Sequence, residues 1–141
     1  MSLPPIKGGD LWKLIEPEVR TVSSTGGRKG TKPCRPDLIP AKALEELATH
    51  YGVGAAKYTE HDDDGQVTHD GGNNWRLGYE WSKSLAALQR HVLAFSRGED
   101  IDEETGSKHI IAAAWHCLTL ATFMDEQRSF DDRWSTVSKQ P

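Results

Sequence analysis

The sequence has little of what secreted, membrane or disulfide-stabilised proteins need. Its 141 residues include only two cysteines, Cys34 and Cys117, and neither belongs to a CxxC pair. A disulfide framework is therefore excluded, and we expect two reduced thiols. No run approaches the roughly 18 apolar residues of a membrane span, and the N-terminal residues lack the apolar stretch of a signal peptide. We expect a cytoplasmic protein without membrane contact.

Excess positive charge and hydrophobic residues are also missing. The chain has 17 basic and 21 acidic residues, a net charge of −4, which argues against a protein that binds nucleic acid directly. A nucleotide substrate is still compatible with this charge, because a metal ion supplies positive charge locally. Hydrophobic residues make up 36%, which is low for an isolated globule and favours burial shared within an oligomer.

Composition divides the chain into three parts. Residues 1–25 form an N-terminal segment, in which Asp10 can cap a short helix that runs to Ile15. Residues 26–126 carry the periodic segments and are predicted to form one domain. Residues 127–141 are a mainly polar tail, which we expect to be partly disordered.

The apolar spacing predicts an all-α fold, because no run of alternating β-branched residues indicates a substantial sheet. A first helix is expected to begin at Pro40, and Gly52 and Gly54 are expected to break it. Residues 20–37 and 59–74 are rich in Gly, Ser, Thr, Pro or Asp and are predicted to be loops.

The longest helical signal covers residues 79–97, and Gly98 is expected to end that helix. Its apolar stripe consists of Trp81, Leu85, Leu88, Val92 and Phe95. A flank of small residues consists of Ser84, Ala87 and Ala94. Small residues allow helices to approach closely, so we expect this flank to favour contact between helices, including helices of different chains. A last helix is predicted over about 107–124.

An acidic turn follows the second helix. It concentrates five carboxylates within six positions: Glu99, Asp100, Asp102, Glu103 and Glu104. Hard divalent cations such as Mg²⁺ or Mn²⁺ prefer oxygen ligands, and Glu99 and Asp102 would share one face if the stretch were helical. The alternative is an exposed acidic loop without a ligand.

Two histidines of the last helix strengthen the prediction of a metal site. His109 and His116 are seven residues apart and therefore lie on nearly the same helical face. Ala112 and Ala113 lie between them, and we expect these small side chains to leave a hollow bordered by two imidazoles. The alternative is one core histidine and one helix-end histidine. His91 lies beside the apolar stripe of the preceding helix. The candidate metal ligands are Glu99, Asp102, Glu104, His109 and His91.

Three segments of the chain resemble a known family. They are GGRKGTKPCRPDLIPAKALEELATHYGVGAAKY, NNWRLGYEWS and LQRHVLAFSRGEDIDEETGSKHIIAAAWH, and together they cover roughly residues 26–124. In order and content they resemble the phage and bacterial dATP/dGTP diphosphohydrolases, which are grouped with the MazG-like all-α nucleotide pyrophosphohydrolases.

The resemblance implies a MazG-like helical bundle that is completed by oligomerisation, as a homodimer or homotetramer. It implies Mg²⁺ or Mn²⁺ and hydrolysis of a purine deoxynucleoside triphosphate, with dGTP favoured over dATP, to the monophosphate and pyrophosphate. Some relatives serve phages that replace adenine by 2-aminoadenine. A phage-encoded protein of this kind would act in the host cytoplasm.

The resemblance also carries over to individual positions. The matching positions are Lys57, Tyr58, Asn74, Trp75, Arg90, His91, Glu99, Asp102, Glu104 and His109. The chain departs from the family pattern in three places. His116 stands where many relatives have Asn, the adjacent pair Glu45-Glu46 replaces an ExxE motif, and the segment 59–72 is longer than usual.

These positions suggest roles in a metal-assisted hydrolysis. Glu99, Asp102 and His109 are the predicted catalytic residues. The phosphates are expected to meet four cationic side chains: Lys32, Arg35, Lys57 and Arg90. Trp75 would stack on the base and Asn74 would hydrogen-bond to it, although a core position is the alternative for Trp75.

Two other functions stay open. A histidine-aspartate phosphohydrolase would release whole triphosphate, but the His-Asp dipeptides at 61–62 and 69–70 fall in a predicted loop. A helical adaptor that binds nucleotides without turnover is the second alternative. The products formed from a deoxynucleoside triphosphate distinguish these cases.

Overall fold

The computed structural model describes residues 18–135, which fall into two compact units. The first unit ends at Ala41 and the second begins at Lys42. The short helix predicted over residues 10–15 lies outside the described residues.

The first unit contains an antiparallel hairpin of β1 (Val19–Val22) and β2 (Arg28–Thr31). A single 3₁₀ turn, Pro36–Leu38, follows it. The prediction of a loop over residues 20–37 is therefore wrong for the strands. All four residues of β1 are exposed, and a strand without a buried face lacks the alternation by which strands are recognised.

The second unit begins with helix α1 (Ala41–Tyr58), which continues through Gly52 and Gly54. The prediction that these glycines break the helix is wrong. A glycine costs a helix interior about 1 kcal/mol, and the 18-residue helix tolerates two of them.

A second hairpin follows α1, where a loop was expected. It pairs β3 (Glu60–His61) with β4 (Val67–His69), and Asp62 closes its turn by accepting hydrogen bonds from the backbone N–H groups of two later residues. A 3₁₀ segment, Gly71–Leu77, connects the hairpin to the next helix. Short exposed strands again explain why the sequence pattern missed the hairpin.

Helices α2 (Trp81–Ser96) and α3 (His109–Glu126) pack against each other and contain the core of this unit. Both helices were predicted, and Gly98 follows α2 with a positive φ of 91° as expected for a helix-ending glycine. The buried hydrophobic residues are Trp81, Ala94, Ile111, Ala112, Ala113 and Phe123. The core is therefore small and rich in alanine.

The small flank of α2 faces its own chain. Ser84 is buried and contacts His116 of α3, and Ala94 is buried, so the flank serves packing within the chain. Of the apolar stripe only Trp81 is buried, whereas Val92 is 44% and Phe95 49% exposed. Small residues of α2 therefore take part in the α2–α3 contact.

The first residues of the predicted tail contact the start of α2. Trp81 donates its indole N–H to the carbonyl of Gln127, at 3.0 Å, and the Arg133 guanidinium lies 4.9 Å from the Trp81 ring centroid. The carboxylate of Asp132 accepts hydrogen bonds from the backbone N–H and the hydroxyl of Ser82. Residues of the segment 127–133 therefore contact the start of α2, and the partial disorder expected of the tail stays a prediction.

The described chain is mostly helical with two small hairpins, so the helical class is confirmed while a strictly all-α fold is not. The finer predictions, a MazG-like architecture and completion by oligomerisation, remain proposals. Within residues 18–135, no helix combines the length and the apolar character that crossing a membrane would require.

Candidate functional site: a histidine–carboxylate cluster beside an aromatic pocket

Three imidazoles meet between α2 and α3. The Nδ1 atoms of His91 and His109 are 2.9 Å apart, and the rings of His91 and His116 stack with centroids 5.9 Å apart. Ala112 and Ala113 are buried, so the expected hollow does not exist as open space. His91 of α2 contacts both α3 histidines instead, and the small alanines allow α2 to approach.

Burial keeps two of these imidazoles uncharged. It is the largest cause that lowers the pKa of His116, to about 4, and the charges of His91, His50 and Arg90 lower it further. The pKa of His91 is also lowered, mainly by burial and then by His109 and Arg90, although the nearby carboxylate of Asp102 opposes this. His91 and His116 are therefore neutral at pH 7, as acceptors of protons or ligands of a metal must be.

His50 of α1 is a fourth member of this cluster, which sequence analysis missed. Its Nδ1 lies 2.7 Å from the Ser107 hydroxyl, just before α3. Its pKa is lowered by burial and by the charge of His91, against the charge of Asp102. The only local signal was the spacing of Glu46 and His50, which places them on one helical face.

Asp102 organises the acidic turn. Its carboxylate accepts hydrogen bonds from the Glu104 backbone N–H, at 3.2 Å, and from the Thr105 hydroxyl, at 2.8 Å. Partial burial, the largest single influence, raises the pKa of Asp102, but these hydrogen bonds and the charges of His91 and His109 together lower it. Asp102 is therefore an ionised, oriented carboxylate near two histidines. The turn is not helical, so its ExxD spacing does not create a shared helical face.

The other two predicted carboxylates lie at the edge of the cluster. Glu99 faces His109 across 3.8 Å from Oε2 to Nε2, and its Oε1 accepts a hydrogen bond from Arg97 at 3.2 Å. Glu104 pairs with Lys57, Nζ to Oε1, at 3.0 Å. A predicted metal ligand and a predicted phosphate contact thus bind each other here.

The donor types in this corner suit a hard divalent cation, since carboxylate oxygens and neutral imidazoles both ligate Mn²⁺, and carboxylates ligate Mg²⁺. Their present arrangement is more open than a formed centre. Among residues 18–135, no three such side chains surround a common point that could hold an ion. Glu99 and Glu104 are exposed, so neither carboxylate is fixed by burial.

A pocket of about 370 Å³ opens next to the cluster. Its walls are largely aromatic, and its lining consists of Tyr51, Gly54, Ala55, Tyr58, Gly71, Gly72, Asn74, Trp75, Tyr79, Lys83, Ser84, Trp115 and His116. The predicted base contacts Asn74 and Trp75 both belong to it. His116 belongs to the pocket and to the cluster, so the two are contiguous.

A hydrogen-bonded chain joins the pocket wall to the cluster. The Tyr79 hydroxyl lies 2.8 Å from Ser84 Oγ, and Ser84 Oγ lies 3.1 Å from His116 Nδ1. Ser84 is buried, so this chain fixes the His116 ring from within the α2–α3 contact. In the sequence, Ser84 stands out only as a small residue, and no pattern marks Tyr79.

Trp75 is both a packing residue and a pocket wall. Its ring centroid lies 6.4 Å from Tyr51, 6.3 Å from Trp115 and 6.2 Å from Phe123, and the Arg76 guanidinium lies 4.5 Å from it. The two predicted alternatives for Trp75 are therefore compatible, because a tryptophan anchored in an aromatic cluster still presents surface to the pocket.

The remaining predicted cations lie in different places. Lys32 and Arg35 belong to the first unit, where Arg35 pairs with Asp37 at 2.6 Å. Arg90 is exposed on α2, and its charge contributes to the lowered pKa values of His91 and His116. Within the second unit, Arg90 and Lys57 lie beside the cluster.

Fold and site together define a small, mainly helical protein with a histidine–carboxylate cluster beside a pocket lined by several aromatic residues. The sequence profile described as dATP/dGTP diphosphohydrolase, N-terminal, matches residues 23–133. The chain belongs to this family. It is also similar to a dATP/dGTP diphosphohydrolase of Salmonella phage PMBT28, with 31% identity over 101 residues. That match covers 71% of this chain and 30% of the relative's length. No solved structure matches the chain.

Proposed function

We propose that this protein hydrolyses a purine deoxynucleoside triphosphate, with dGTP favoured over dATP, to the monophosphate and pyrophosphate. Membership of the family supports the reaction class. The observation that carries the proposal within the structure is the contiguity of an aromatic pocket of about 370 Å³ with a cluster of histidines and carboxylates through His116.

The pocket is suited to the base. Aromatic side chains bind a planar purine by stacking, and a polar side chain among them orients it. Trp75 and Asn74 would serve in this way, as their resemblance to family positions implies. The triphosphate would then extend towards the cluster, where Lys57 and Arg90 provide positive charge.

The cation would be held by carboxylates and imidazoles of the cluster. The proposed ligands are Glu99, Asp102, Glu104, His91 and His109. When bound, Mg²⁺ or Mn²⁺ neutralises the triphosphate and stabilises the charge that develops on the leaving pyrophosphate. Because the protein carries a net charge of −4, binding of so anionic a substrate needs this compensation.

The side chains themselves would manage the attacking water. A water oxygen attacks the α-phosphorus, the bond from this phosphorus to the bridging α–β oxygen breaks, and the electron pair leaves with pyrophosphate. Glu99 would accept the proton of the water. His109, with Nε2 3.8 Å from Glu99 Oε2, would hold that carboxylate in place, and Asp102 would hold the turn on which both depend.

A panel of the four deoxynucleoside triphosphates, each with Mg²⁺ or Mn²⁺, tests the proposal when products are separated by ion-exchange chromatography. We expect monophosphate plus pyrophosphate from dGTP and more slowly from dATP. Release of intact triphosphate would instead identify a phosphohydrolase of the histidine-aspartate type. Tight binding with no metal-stimulated turnover would identify a nucleotide-binding adaptor.

Two wider proposals follow from the resemblance. The dGMP formed would supply 2-aminoadenine nucleotide synthesis if the protein serves a phage with that modified base. The chain would assemble as a homodimer or homotetramer, which is supported by the exposed apolar residues of α2.

A further inference from the structure

The second hairpin ends beside the pocket with a histidine that fixes a pocket residue. His69 Nε2 lies 2.9 Å from Asn74 Oδ1, and Asn74 lines the pocket. An asparagine amide has an acceptor end and a donor end. A hydrogen bond from the protonated Nε2 of His69 to Oδ1 therefore occupies the acceptor end and leaves the donor end, Nδ2, for another partner.

The described part of the chain provides no such partner. Among residues 18–135, Asn74 Nδ2 has no hydrogen-bond acceptor. Its two N–H bonds are therefore available to a ligand in the pocket, and an acceptor there would satisfy them. A ligand that presented its own N–H group would leave two donors facing each other, which costs the hydrogen bond of each.

Regular structure holds both residues of this pair. His69 is paired with Glu60 in the β3–β4 ladder, and Asn74 lies in the 3₁₀ segment that Asp70 caps by accepting the Gly72 N–H at 2.8 Å. Groups on short paired elements with capped ends keep their orientation better than groups on free loops. The amide is thus oriented before any ligand binds.

We infer that His69 is a positioning residue for base selection: by holding Asn74 Oδ1 it turns Nδ2 towards the base, so that the pocket prefers a 6-keto purine to a 6-amino purine. This inference rests on the proposed function, because it takes the pocket as the site of the base. Guanine and hypoxanthine offer two acceptors on this edge, O6 and N7, whereas adenine offers N7 and an amino group. A contact of this kind discriminates by about 10-fold to 100-fold.

Binding of nucleoside monophosphates tests the inference without requiring turnover. The full chain would be titrated with dGMP, dIMP and dAMP, with the fluorescence of Trp75 and Trp115 as the signal. We expect dGMP and dIMP to bind at least 10-fold more tightly than dAMP, since both carry O6. The same order is expected for kcat/KM of the three triphosphates.

Two alanine variants form a matched pair. His69→Ala frees the amide to turn over, so the preference for dIMP over dAMP should fall to within about 3-fold while dAMP binding is kept. His61→Ala removes an exposed histidine from the other strand of the same hairpin and should leave the preference unchanged. An unchanged dIMP-to-dAMP ratio in His69→Ala would overturn the inference.

Asn74→Asp provides a second variant if His69→Ala does not fold, as judged by circular dichroism. An ionised aspartate has no donor, so the preference should shift towards dAMP, and retention of the dIMP preference would contradict the inference. If monophosphates bind with the expected order but no triphosphate is hydrolysed, the proposed function fails and base selection stands. If triphosphates are hydrolysed and the base order does not depend on His69, the inference alone fails. If no monophosphate binds, the pocket is not a base site and the inference fails.

Discussion

Among the residues of the cluster, Glu99 provides the most direct test of the proposed mechanism. Its carboxylate lies 3.8 Å from the buried His109 and is itself exposed. It can therefore reach both a water and an ion, and its replacement should affect turnover more than folding.

We expect Glu99→Gln to lower kcat by about 100-fold or more, the range typical for loss of a general base, with the same unfolding midpoint in urea. Glu103→Gln is the matched control, because Glu103 is an exposed member of the same acidic turn that was not assigned a role. Turnover at the normal rate in Glu99→Gln would remove this residue from the mechanism.

The neutrality of His116 should make stability depend on pH. In the unfolded chain His116 titrates near 6.5, whereas its pKa in the folded protein is about 4. Between these values the unfolded state binds a proton that the folded state does not, so the free energy of unfolding falls as pH is lowered through this window.

Because of His116, the free energy of unfolding should be about 1 kcal/mol lower at pH 5 than at pH 7, after allowance for solvent screening. Urea denaturation at both values would measure it. His116→Asn should show a smaller loss on acidification than the parent, and His61→Asn should not. An identical pH dependence in His116→Asn and the parent would show that the burial of this imidazole does not carry the effect.

At the scale of elements, the start of α2 depends on a residue 50 positions later. Asp132 accepts hydrogen bonds from the Ser82 N–H and hydroxyl, at 2.9 and 2.5 Å. It therefore performs at a distance the role that a capping residue usually performs locally, and its charge also lies near the positive end of the helix.

Asp132→Ala should lower the free energy of unfolding by about 1 kcal/mol, or somewhat more, the usual cost of losing a helix cap. Asp63→Ala removes the same charge from the exposed end of the second hairpin and should change stability by less than about 0.5 kcal/mol. Equal effects of the two substitutions would mean that the cap contributes nothing beyond its charge.

Alanine substitutions at Gly71 and Gly52 should change the stability of the protein in opposite directions. A Cβ at Gly71 would overlap the Ala55 carbonyl and the Thr59 backbone nitrogen, whereas a Cβ at Gly52 meets nothing within 4 Å. Gly71→Ala should cost about 2 kcal/mol or more, and Gly52→Ala should stabilise the helix by about 0.5–1 kcal/mol. Thermal and urea unfolding of both variants would measure this, and a tolerated Gly71→Ala would show that the start of the 3₁₀ segment can move away from α1.

Helices α2 and α3 were predictable because their length and spacing leave a periodic signal, and Gly98 marks an end. The hairpins were not, since strands such as VRTV and RKGT have exposed faces and thus no alternation to detect. The site was predicted in part. His91, His109 and His116 come together as neighbours, but His50 is held by Ser107, 57 residues away, and no local pattern contains a contact of that separation.

At the scale of the whole molecule, the apolar stripe on α2 is the feature that predicts assembly into an oligomer. Leu88 is half-buried, and Val92 and Phe95 are 44% and 49% exposed on one helical face. Exposed apolar side chains in such an arrangement are typical of surfaces covered by another chain. The low hydrophobic content of the sequence agrees with this interpretation.

We expect the protein to sediment as a dimer or tetramer and Phe95→Glu to shift it towards the monomer, because a charge at a buried contact is costly. Leu77→Glu is the control, since Leu77 is exposed outside the stripe. Sedimentation velocity at several concentrations would measure both. A parent protein that stays monomeric at high concentration would contradict the prediction.

The contact between α2 and α3 contains polar groups at positions where most helical pairs place leucine. Ser84 and His109 are 1% and 8% exposed. Ser84 lines the pocket, and His109 is a proposed metal ligand. Repeated selection for heat resistance alone would therefore replace them with aliphatic residues and produce a sturdier but inactive relative. The small hydrophobic core thus leaves room for the polar groups that the proposed function needs. Substitutions meant to stabilise the protein should therefore be made outside the α2–α3 contact.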